Sequence, residues 1–250
     1  MDWLILMMPT LFVVAALSLG EAIARPSRSD WWRNIQAWAL GTGAGFAFLP
    51  MFRLGYVPSL VDGAALPFWL AFPIYLVVFD FGEFLYHRAQ HSVPLLWAMH
   101  SLHHSDPEMS ALTTQRHFWG DQLFKSLTIW PVAAMAISPT PAMLLAFAMV
   151  SLWNFVAHAR LNVSFGPLSW LLNSPAYHRR HHSLRPEHYN SNFAALFPIF
   201  DVVFGSYHRP DGFPPTGLDR KPENFLELVV WPLRHAEPVP GDASVTAPQG

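Results

Sequence analysis

Four stretches of the chain contain no charged side chain and are long enough to embed in a membrane: residues 3–19, 35–52, 63–79 and 126–159. A bilayer-spanning helix needs about 17–25 mostly apolar residues, so each stretch is a candidate membrane segment. The longest is interrupted by Ser138-Pro139-Thr140-Pro141, which is typical of a tight turn between two helices. We therefore expect this stretch to form a helical hairpin whose ends return to the same side of the membrane.

The scarcity of charge extends to the whole chain, in which 13% of the residues are charged. A soluble domain carries about 25%. We therefore predict an all-α integral membrane protein with about four to five membrane-embedded helices. Residues 1–235 are expected to form one domain, and residues 236–250, rich in Pro, Gly, Ala and Ser, a disordered tail. The net charge of −2 gives no electrostatic reason to expect nucleic acid binding.

The arginines predict the orientation of the chain. Arg25, Arg28 and Arg33 follow the first apolar stretch, and positive loops are usually cytoplasmic. Alternation then places residues 80–125 and everything after Arg160 on the cytoplasmic side as well. The lack of an ER-retrieval signal favours a bacterial inner membrane over the ER membrane.

Histidine is abundant, with thirteen residues, whereas cysteine is absent. The lack of cysteine excludes thiolate zinc sites, Fe–S clusters and a cysteine nucleophile. On a helix, residues three and four apart share a face, so closely spaced histidines direct their rings to one point. Three clusters have this spacing: His87 and His91; His100, His103 and His104; His178, His181 and His182. Asn154 and His158 repeat it near the end of the last apolar stretch.

The nine clustered histidines, counting His158, all fall on the predicted cytoplasmic side. One metal ion takes about four to six protein ligands, so nine indicate two ions. Imidazole suits Zn, Cu, Fe and Ni. Asp80, Glu83 and Asp201 are expected to orient the rings by accepting their outer N–H groups. The remaining histidines, His117, His188, His208 and His235, are interpreted as hydrogen-bonded neighbours of the site or as surface groups.

One glycine-rich segment needs a separate interpretation. Gly41-Thr42-Gly43-Ala44-Gly45 superficially resembles a nucleotide-binding loop. It lies inside an apolar stretch and lacks the third spaced glycine, so we interpret the small residues as allowing close helix packing.

The histidine clusters and their flanking residues resemble the histidine boxes of the fatty acid hydroxylase/sterol desaturase superfamily. The first box is the run from Asp80 to His91, and the second runs from Leu96 to Ser105, with Pro107-Glu108-Met109 following. The third runs from His178 to His182 and continues through Asn190-Ser191-Asn192-Phe193 to Tyr207. Together the three boxes cover about residues 75–210.

This resemblance implies an integral-membrane di-iron oxygenase that uses O2 and two reducing equivalents to hydroxylate or desaturate a lipid, such as a fatty acyl chain or a sterol. By position, the eight box histidines and His158 would be ligands of two Fe ions, with Zn as a possible substitute in isolated protein. Asn154 departs from relatives that place His there. Because no cytochrome b5-like domain is fused to the chain, electrons would come from a separate ferredoxin- or cytochrome b5-type donor with its reductase. Of the two reactions, hydroxylation is preferred.

Other functions remain open from the residues alone. A haem-binding membrane electron carrier would place histidines deep in separate helices. A metal transporter would carry ionisable groups near mid-span. A zinc-dependent hydrolase would need an acid–base carboxylate, for which Glu83 is a candidate. Candidate walls of an acyl channel, which helix packing explains equally well, are Phe68, Trp69, Phe72, Leu152, Trp153 and Phe155.

Overall fold

The computed structural model describes residues 28–48 and 58–234, together with Ala16, Gly20 and Glu21. The regular structure in this part of the chain is helical, and the only β-type pairings there are two isolated bridges. The helices are α1 (Arg28–Phe48), α2 (Phe68–Gln90), α3 (Pro94–His104), α4 (Trp119–Ala136), α5 (Pro141–His158), α6 (Pro175–His181), α7 (Ile199–Phe204) and α8 (Phe225–Arg234). The all-α prediction is confirmed for these residues.

Two of the described helices, α2 and α5, are long and apolar enough to cross a membrane. The predicted segment at residues 3–19 and the tail at residues 236–250 lie outside the described residues. The other predicted segments coincide with parts of α1, α2, α4 and α5. The number of membrane-embedded helices and the cytoplasmic orientation stay predictions.

The predicted bounds of the third segment, residues 63–79, were wrong. A short 3₁₀ turn occupies Gly63–Ala65, α2 begins at Phe68, and the helix continues past Asp80 and Glu83 to Gln90. Charged residues ended the predicted segment because water was assumed to solvate them. Both carboxylates instead have protein partners, described below, so the helix need not end where charge begins.

The predicted hairpin is confirmed. α4 ends at Ala136 and α5 begins at Pro141, although α4 starts at Trp119, before the uncharged stretch. The turn is tied to the start of α2, since the Gly63 amide donates to Ser138 Oγ at 2.8 Å. A Cβ on Gly63 would lie 2.5 Å from the Tyr75 hydroxyl oxygen, so this crossing requires glycine.

The core between α2, α4 and α5 is built from large and small side chains in alternation. Tyr75, Phe79 and Ile129 are buried there, and Ala133 and Ala146 lie among them. Small residues let helix backbones approach closely, which matters in lipid because hydrophobic burial does not drive association there. These three helices therefore form a fixed frame.

Helix α1 joins this frame through polar contacts near its start. Asn34 Nδ2 donates to Asp106 Oδ2 at 2.9 Å, and Arg116, fully buried, donates to Asn34 Oδ1 at 3.2 Å. Deeper in the helix, the glycines do not pack against another described helix. Among the described residues, no atom lies within 4 Å of the position that a Cβ would take on Gly41 or Gly45, so the predicted close packing is not seen in this part of the chain.

The remaining helices, α3, α6, α7 and α8, cover one end of the frame. Leu102 on α3 is buried against Leu228 and Trp231 of α8. On the other flank, Phe84 of α2 packs against Phe193 and Phe200. This covering layer holds the polar residues of the site away from solvent.

Candidate metal centre

Four helices bring nine histidines together under the covering layer. α2 supplies His87 and, just after its last residue, His91. α5 ends with His158. The other six come from α3 and from α6 with the residue that follows it: His100, His103, His104, His178, His181 and His182. The structure thus assembles every histidine that the sequence spacing singled out.

The nine histidines divide into two sets. The set of five consists of His87, His91, His100, His104 and His181. The set of four consists of His103, His158, His178 and His182. Within each set, one ring nitrogen per residue lies within 4.8 Å of those of all the other members. Because α3 and α6 contribute to both, the two sets lie side by side, with the rings of His104 and His182 stacked 4.2 Å apart.

The spacing of the ring nitrogens fits a metal ion in each set. In the set of five, Nε2–Nε2 distances are 3.1 Å for His87 and His100 and 3.1 Å for His91 and His104. In the set of four, His158 Nε2 lies 3.0 Å from that of His103 and 2.9 Å from that of His178. An ion bound about 2.1 Å from each imidazole nitrogen separates two ligands at right angles by about 3 Å.

Two further nitrogens support this fit. The Nε2 atoms of His181 and His182 are buried and have no hydrogen-bond partner among the described residues. A buried polar atom without a partner costs about 1–3 kcal/mol. His181 belongs to the set of five and His182 to the set of four, so an ion bound in each set would give its unpaired nitrogen a partner.

Backbone carbonyls hold the outer nitrogens of several rings. His87 Nδ1 donates to Phe193 O, and His181 Nδ1 donates to Ser191 O, each at 2.7 Å. His158 Nδ1 donates to Asn154 O, also at 2.7 Å. Because a carbonyl can only accept, each contact fixes the proton on Nδ1 and leaves Nε2 free to bind metal.

Burial keeps the rings of the covering layer neutral. It lowers the pKa of His100, His103 and His104 well below 6.5, and neighbouring histidines lower it further. The same causes lower the pKa of His178, His181 and His182. Desolvation penalises imidazolium, so at neutral pH these rings keep the lone pairs that a metal needs.

Asp201 holds backbone rather than a histidine ring, as does Asp80. The buried Asp201 carboxylate accepts from Phe193 N at 2.9 Å, from Ala194 N at 2.8 Å and from Ser206 Oγ at 2.7 Å. It also accepts from the Tyr177 hydroxyl. The carbonyl that receives the His87 proton belongs to this same Phe193, so Asp201 acts on the ring through the backbone.

Asp80 supports the same segment three residues further along the chain. Its buried carboxylate accepts from Leu196 N and Phe197 N, each at 2.7 Å. The sequence placed both aspartates on ring N–H groups. In the structure backbone carbonyls take those protons, and the carboxylates fix the segment that carries the carbonyls.

Glu83 and Asn154 also differ from the sequence interpretation. Glu83 Oε2 lies 2.6 Å from Lys125 Nζ on α4, so this carboxylate is part of an ion pair. Asn154 contributes to ring orientation through its backbone carbonyl, which any residue would supply.

His117 is a neighbour of the site, one of the two places that the sequence analysis allowed for it, and Asp121 beside it is an addition that sequence reasoning missed. The His117 ring stacks on His103 with centroids 4.4 Å apart, and its Nδ1 lies 3.2 Å from Asp121 Oδ2. Asp121 Oδ1 also accepts from the Tyr86 hydroxyl at 2.8 Å and from Gln90 Nε2 at 2.7 Å. The spacing of four residues between His117 and Asp121 was the available signal.

The other histidines lie outside both sets. His188 Nε2 is 3.3 Å from Asp211 Oδ2, and His208 Nδ1 is 3.3 Å from an Arg180 nitrogen. These contacts attach the segment after α7 to α6. His235 lies outside the described residues.

A cavity of about 420 Å³ extends from the histidines into the space between α1, α2, α4 and α5. Both sets reach it, through His87 and His100 from the set of five and His103, His158 and His178 from the set of four. Its apolar lining includes Ala37, Trp38, Gly41, Gly45, Phe147 and Val150. Phe155 lines it as well, and it alone of the six candidate channel residues named from sequence does so.

Comparison with known proteins adds independent support. The family model described as fatty acid hydroxylase matches residues 72–206. The chain is 34% identical to alkylglycerol monooxygenase from Xenopus tropicalis over 139 residues, which is 56% of this chain and 30% of that protein. It is 32% identical to ornithine lipid hydroxylase from Rhizobium tropici over 136 residues, 54% of this chain and 41% of that protein.

A third relative is human alkylglycerol monooxygenase, 32% identical over 168 residues, or 67% of this chain and 37% of that protein. The chain thus covers between 30% and 41% of the length of these three relatives. No solved structure matches the chain.

Proposed function

This chain belongs to the fatty acid hydroxylase family, and from that premise we propose that it is a membrane-embedded oxygenase that hydroxylates a lipid with O2. The observation that carries the proposal is the pair of adjoining histidine sets, both open to one cavity between apolar helices. The relatives named as lipid hydroxylase and monooxygenase favour the same reaction class.

In this proposal the nine histidines hold two irons, one in each set, and zinc can occupy the same positions in isolated protein. The donor set fits, since neutral imidazole binds both metals. When bound, the irons supply the oxidising power to break an unactivated C–H bond, using O2 and two electrons. The electrons come from a separate ferredoxin- or cytochrome b5-type donor with its reductase.

The chain itself positions and shields the reaction. The carbonyls of Phe193, Ser191 and Asn154 fix the orientation of three rings. The apolar lining from α1 and α5 excludes water and holds a hydrocarbon chain below the histidines. We place the site at the cytoplasmic face of a domain formed by residues 1–235, with about four to five helices in the membrane.

The alternatives fit the geometry less well. A haem between two histidines separates their ligating nitrogens by about 4 Å, twice a metal–nitrogen bond of about 2 Å. The Nε2 atoms of neighbouring histidines within each set approach to 2.9–3.1 Å, which is too close for a porphyrin plane between them. A zinc hydrolase that used Glu83 as its acid–base group would have to separate it from Lys125, 2.6 Å away. The charged groups that line the cavity, Glu83, Asp121 and Lys125, share it with the histidines, which favours a reaction site there over a transport path.

The decisive experiment combines metal analysis with isotope labelling. Detergent-purified protein from iron-supplemented cells should contain about two irons per chain and no Soret band. With a reductase system and ¹⁸O2, a lipid product should carry one ¹⁸O atom. A Soret band, or products formed without O2, would contradict the proposal.

Two histidine variants complete this experiment, one inside the sets as the test and one outside them as the matched control. His103→Ala removes a member of the set of four and should abolish turnover and lower the metal content while the protein still inserts into membranes. His208→Ala changes a histidine outside both sets and should retain the metals and most of the turnover.

A further inference from the structure

An ion pair lines the cavity within its helical walls. Glu83 on α2 and Lys125 on α4 approach to 2.6 Å, and their side chains are only 17% and 24% exposed. Both border the same cavity as the histidines. Charged groups inside apolar helices are costly and commonly mark a binding or transport path.

The pair lies one helical turn from the candidate metal centre. Glu83 precedes His87 by four residues, and Lys125 follows Asp121 by four, so each is displaced by about 6 Å along its helix. His87 and Asp121 border the cavity as well, which places the ion pair on the same wall. A group bound to the pair would therefore lie next to the histidines.

Asp121 and the Glu83–Lys125 pair differ in how many further hydrogen bonds they can form. Asp121 already accepts from Tyr86 and Gln90 and lies beside His117. Within the described residues, the side chains of Glu83 and Lys125 make their polar contact with each other. A carboxylate has about four acceptor sites and an ammonium three donors, so both groups can bind something more.

The opposite side of the cavity suits a hydrocarbon chain. Ala37, Gly41 and Gly45 follow one another at intervals of four residues on α1 and line the cavity, together with Phe147 and Val150 of α5. Within the part of the chain that the structure describes, no atom lies within 4 Å of a Cβ position on Gly41 or Gly45. One wall can therefore form hydrogen bonds with a ligand, and the other can contact the methylene groups of a hydrocarbon chain.

We propose that Glu83 and Lys125 bind an uncharged, hydroxyl-bearing end of the lipid, with its chain along the Gly41–Gly45 side of α1. The inference rests on the proposed function and specifies its substrate class. A hydroxyl donates to the carboxylate and accepts from the ammonium without separating the pair. A head group with a single charge would draw one partner away and leave the other unpaired in a medium of low dielectric. The oxidised carbon then lies a few bonds from the polar end.

The test uses zinc-loaded full-length protein in detergent, so binding is measured without turnover. The probes are 1-O-hexadecylglycerol and its di-O-methyl derivative, which keeps the chain but has no O–H donor. We expect the diol to raise the thermal unfolding temperature of the wild type more than its derivative does. In Lys125→Met and Glu83→Gln, the diol should bind about tenfold or more weakly, while binding of the derivative stays within about twofold.

Lys221→Met is the matched control. Lys221 Nζ also pairs with a buried carboxylate, that of Asp30 at 2.9 Å, but it does not line the cavity. This variant should bind both probes like the wild type. If either cavity variant proves too unstable, the charge-swapped protein Glu83→Lys/Lys125→Glu keeps an ion pair and should recover binding of the diol.

Three results would overturn the inference: no stabilisation of the wild type by the diol, equal loss of both probes in the cavity variants, or tighter binding of hexadecyl phosphate than of the diol. None of them depends on catalysis. If the diol binds as expected but iron-loaded protein oxidises no lipid, the binding site stands and the proposed function fails.

Discussion

The two histidine sets share α3 and α6 but are held in different ways. In the set of five, His87 and His181 donate to carbonyls of residues 191–193, and His91 is hydrogen-bonded to the Asn190 side chain. In the set of four, His158 donates to a carbonyl of its own helix. Two of its four rings, those of His103 and His178, have buried Nδ1 atoms without a hydrogen-bond partner among the described residues, compared with His100 alone in the set of five.

Exposure to the cavity follows the opposite order. Three of the four histidines in the smaller set line it, compared with two of five in the larger set. Outer hydrogen bonds orient a metal-binding ring and strengthen its affinity. Under the proposed function we therefore expect a division of roles: the set of five would retain an ion more firmly, and the set of four would be more open to substrate.

The largest effect should come from removing a single ligand, from the set of five in one variant and from the set of four in another. His181→Ala and His182→Ala should each lower the metal content from about two ions per chain to about one, and each should abolish turnover, because both ions are needed. Metal analysis of the two purified variants checks this. If either variant loses both ions or retains both, the sets are not independent sites and the comparison fails.

A smaller, selective effect is expected from Asp201→Asn. Asparagine offers one acceptor oxygen where the carboxylate serves four donors, so the segment carrying Phe193 O should loosen. We expect a loss of about 2–4 kcal/mol in the free energy of unfolding. The ion of the set of five should bind about 10–100-fold more weakly.

Chelator titration, followed by metal analysis, measures how readily each ion leaves the Asp201 variant. Asp219→Asn, at an exposed aspartate, is the matched control and should behave like the wild type. Equal weakening of both ions in the Asp201 variant would show that this carboxylate does not act on one set in particular.

Acid should affect both sets alike, through a loss of stability that each buried ring adds to. Unfolded histidine has a pKa of about 6.5, whereas burial lowers the pKa of members of both sets, including His181 and His182. Below about pH 6.5 the unfolded chain takes up protons that the folded metal-free protein cannot. The stability of metal-free protein is therefore unchanged between pH 8 and 7 and falls from about pH 6.5 downward, by at most about 1.4 kcal/mol per ring and pH unit.

Thermal unfolding of metal-free protein across this range measures the fall in stability. Zinc-loaded protein provides the control, since bound metal excludes the competing protons and should move the fall to lower pH. Constant stability of the metal-free protein down to pH 5 would show that the rings are accessible to protons when folded.

The ligand spacing was predictable because it is local. His100, His103 and His104 lie on one turn of a helix whatever the rest of the chain does. The roles of Asp80 and Asp201 were not predictable, since they depend on backbone groups that only the tertiary fold brings near. Asp80 meets Leu196 across 116 residues. The charged residues also led to a predicted end of the third segment at residue 79, whereas α2 continues to Gln90, because a carboxylate with a protein partner can lie within a helix.

The glycines of α1 show a second limit of sequence reasoning. A row of small residues at helical spacing is compatible with close packing and with an open cavity wall. Only the position of the neighbouring helices distinguishes these outcomes, and the described helices leave the space beside Gly41 and Gly45 open.

The attachment of residues 193–197 to Asp80 and Asp201 also has a consequence for biosynthesis. Asp80 and six of the nine histidines, up to His158, are synthesised before Leu196, and the last cluster precedes it by fewer than twenty residues. A nascent chain that ends at residue 190 already contains all nine clustered histidines but lacks Phe193 O and Asp201. If these histidines hold metal as proposed, loading at full affinity would follow translation of this segment, and the helices would insert before a reactive ion is in place.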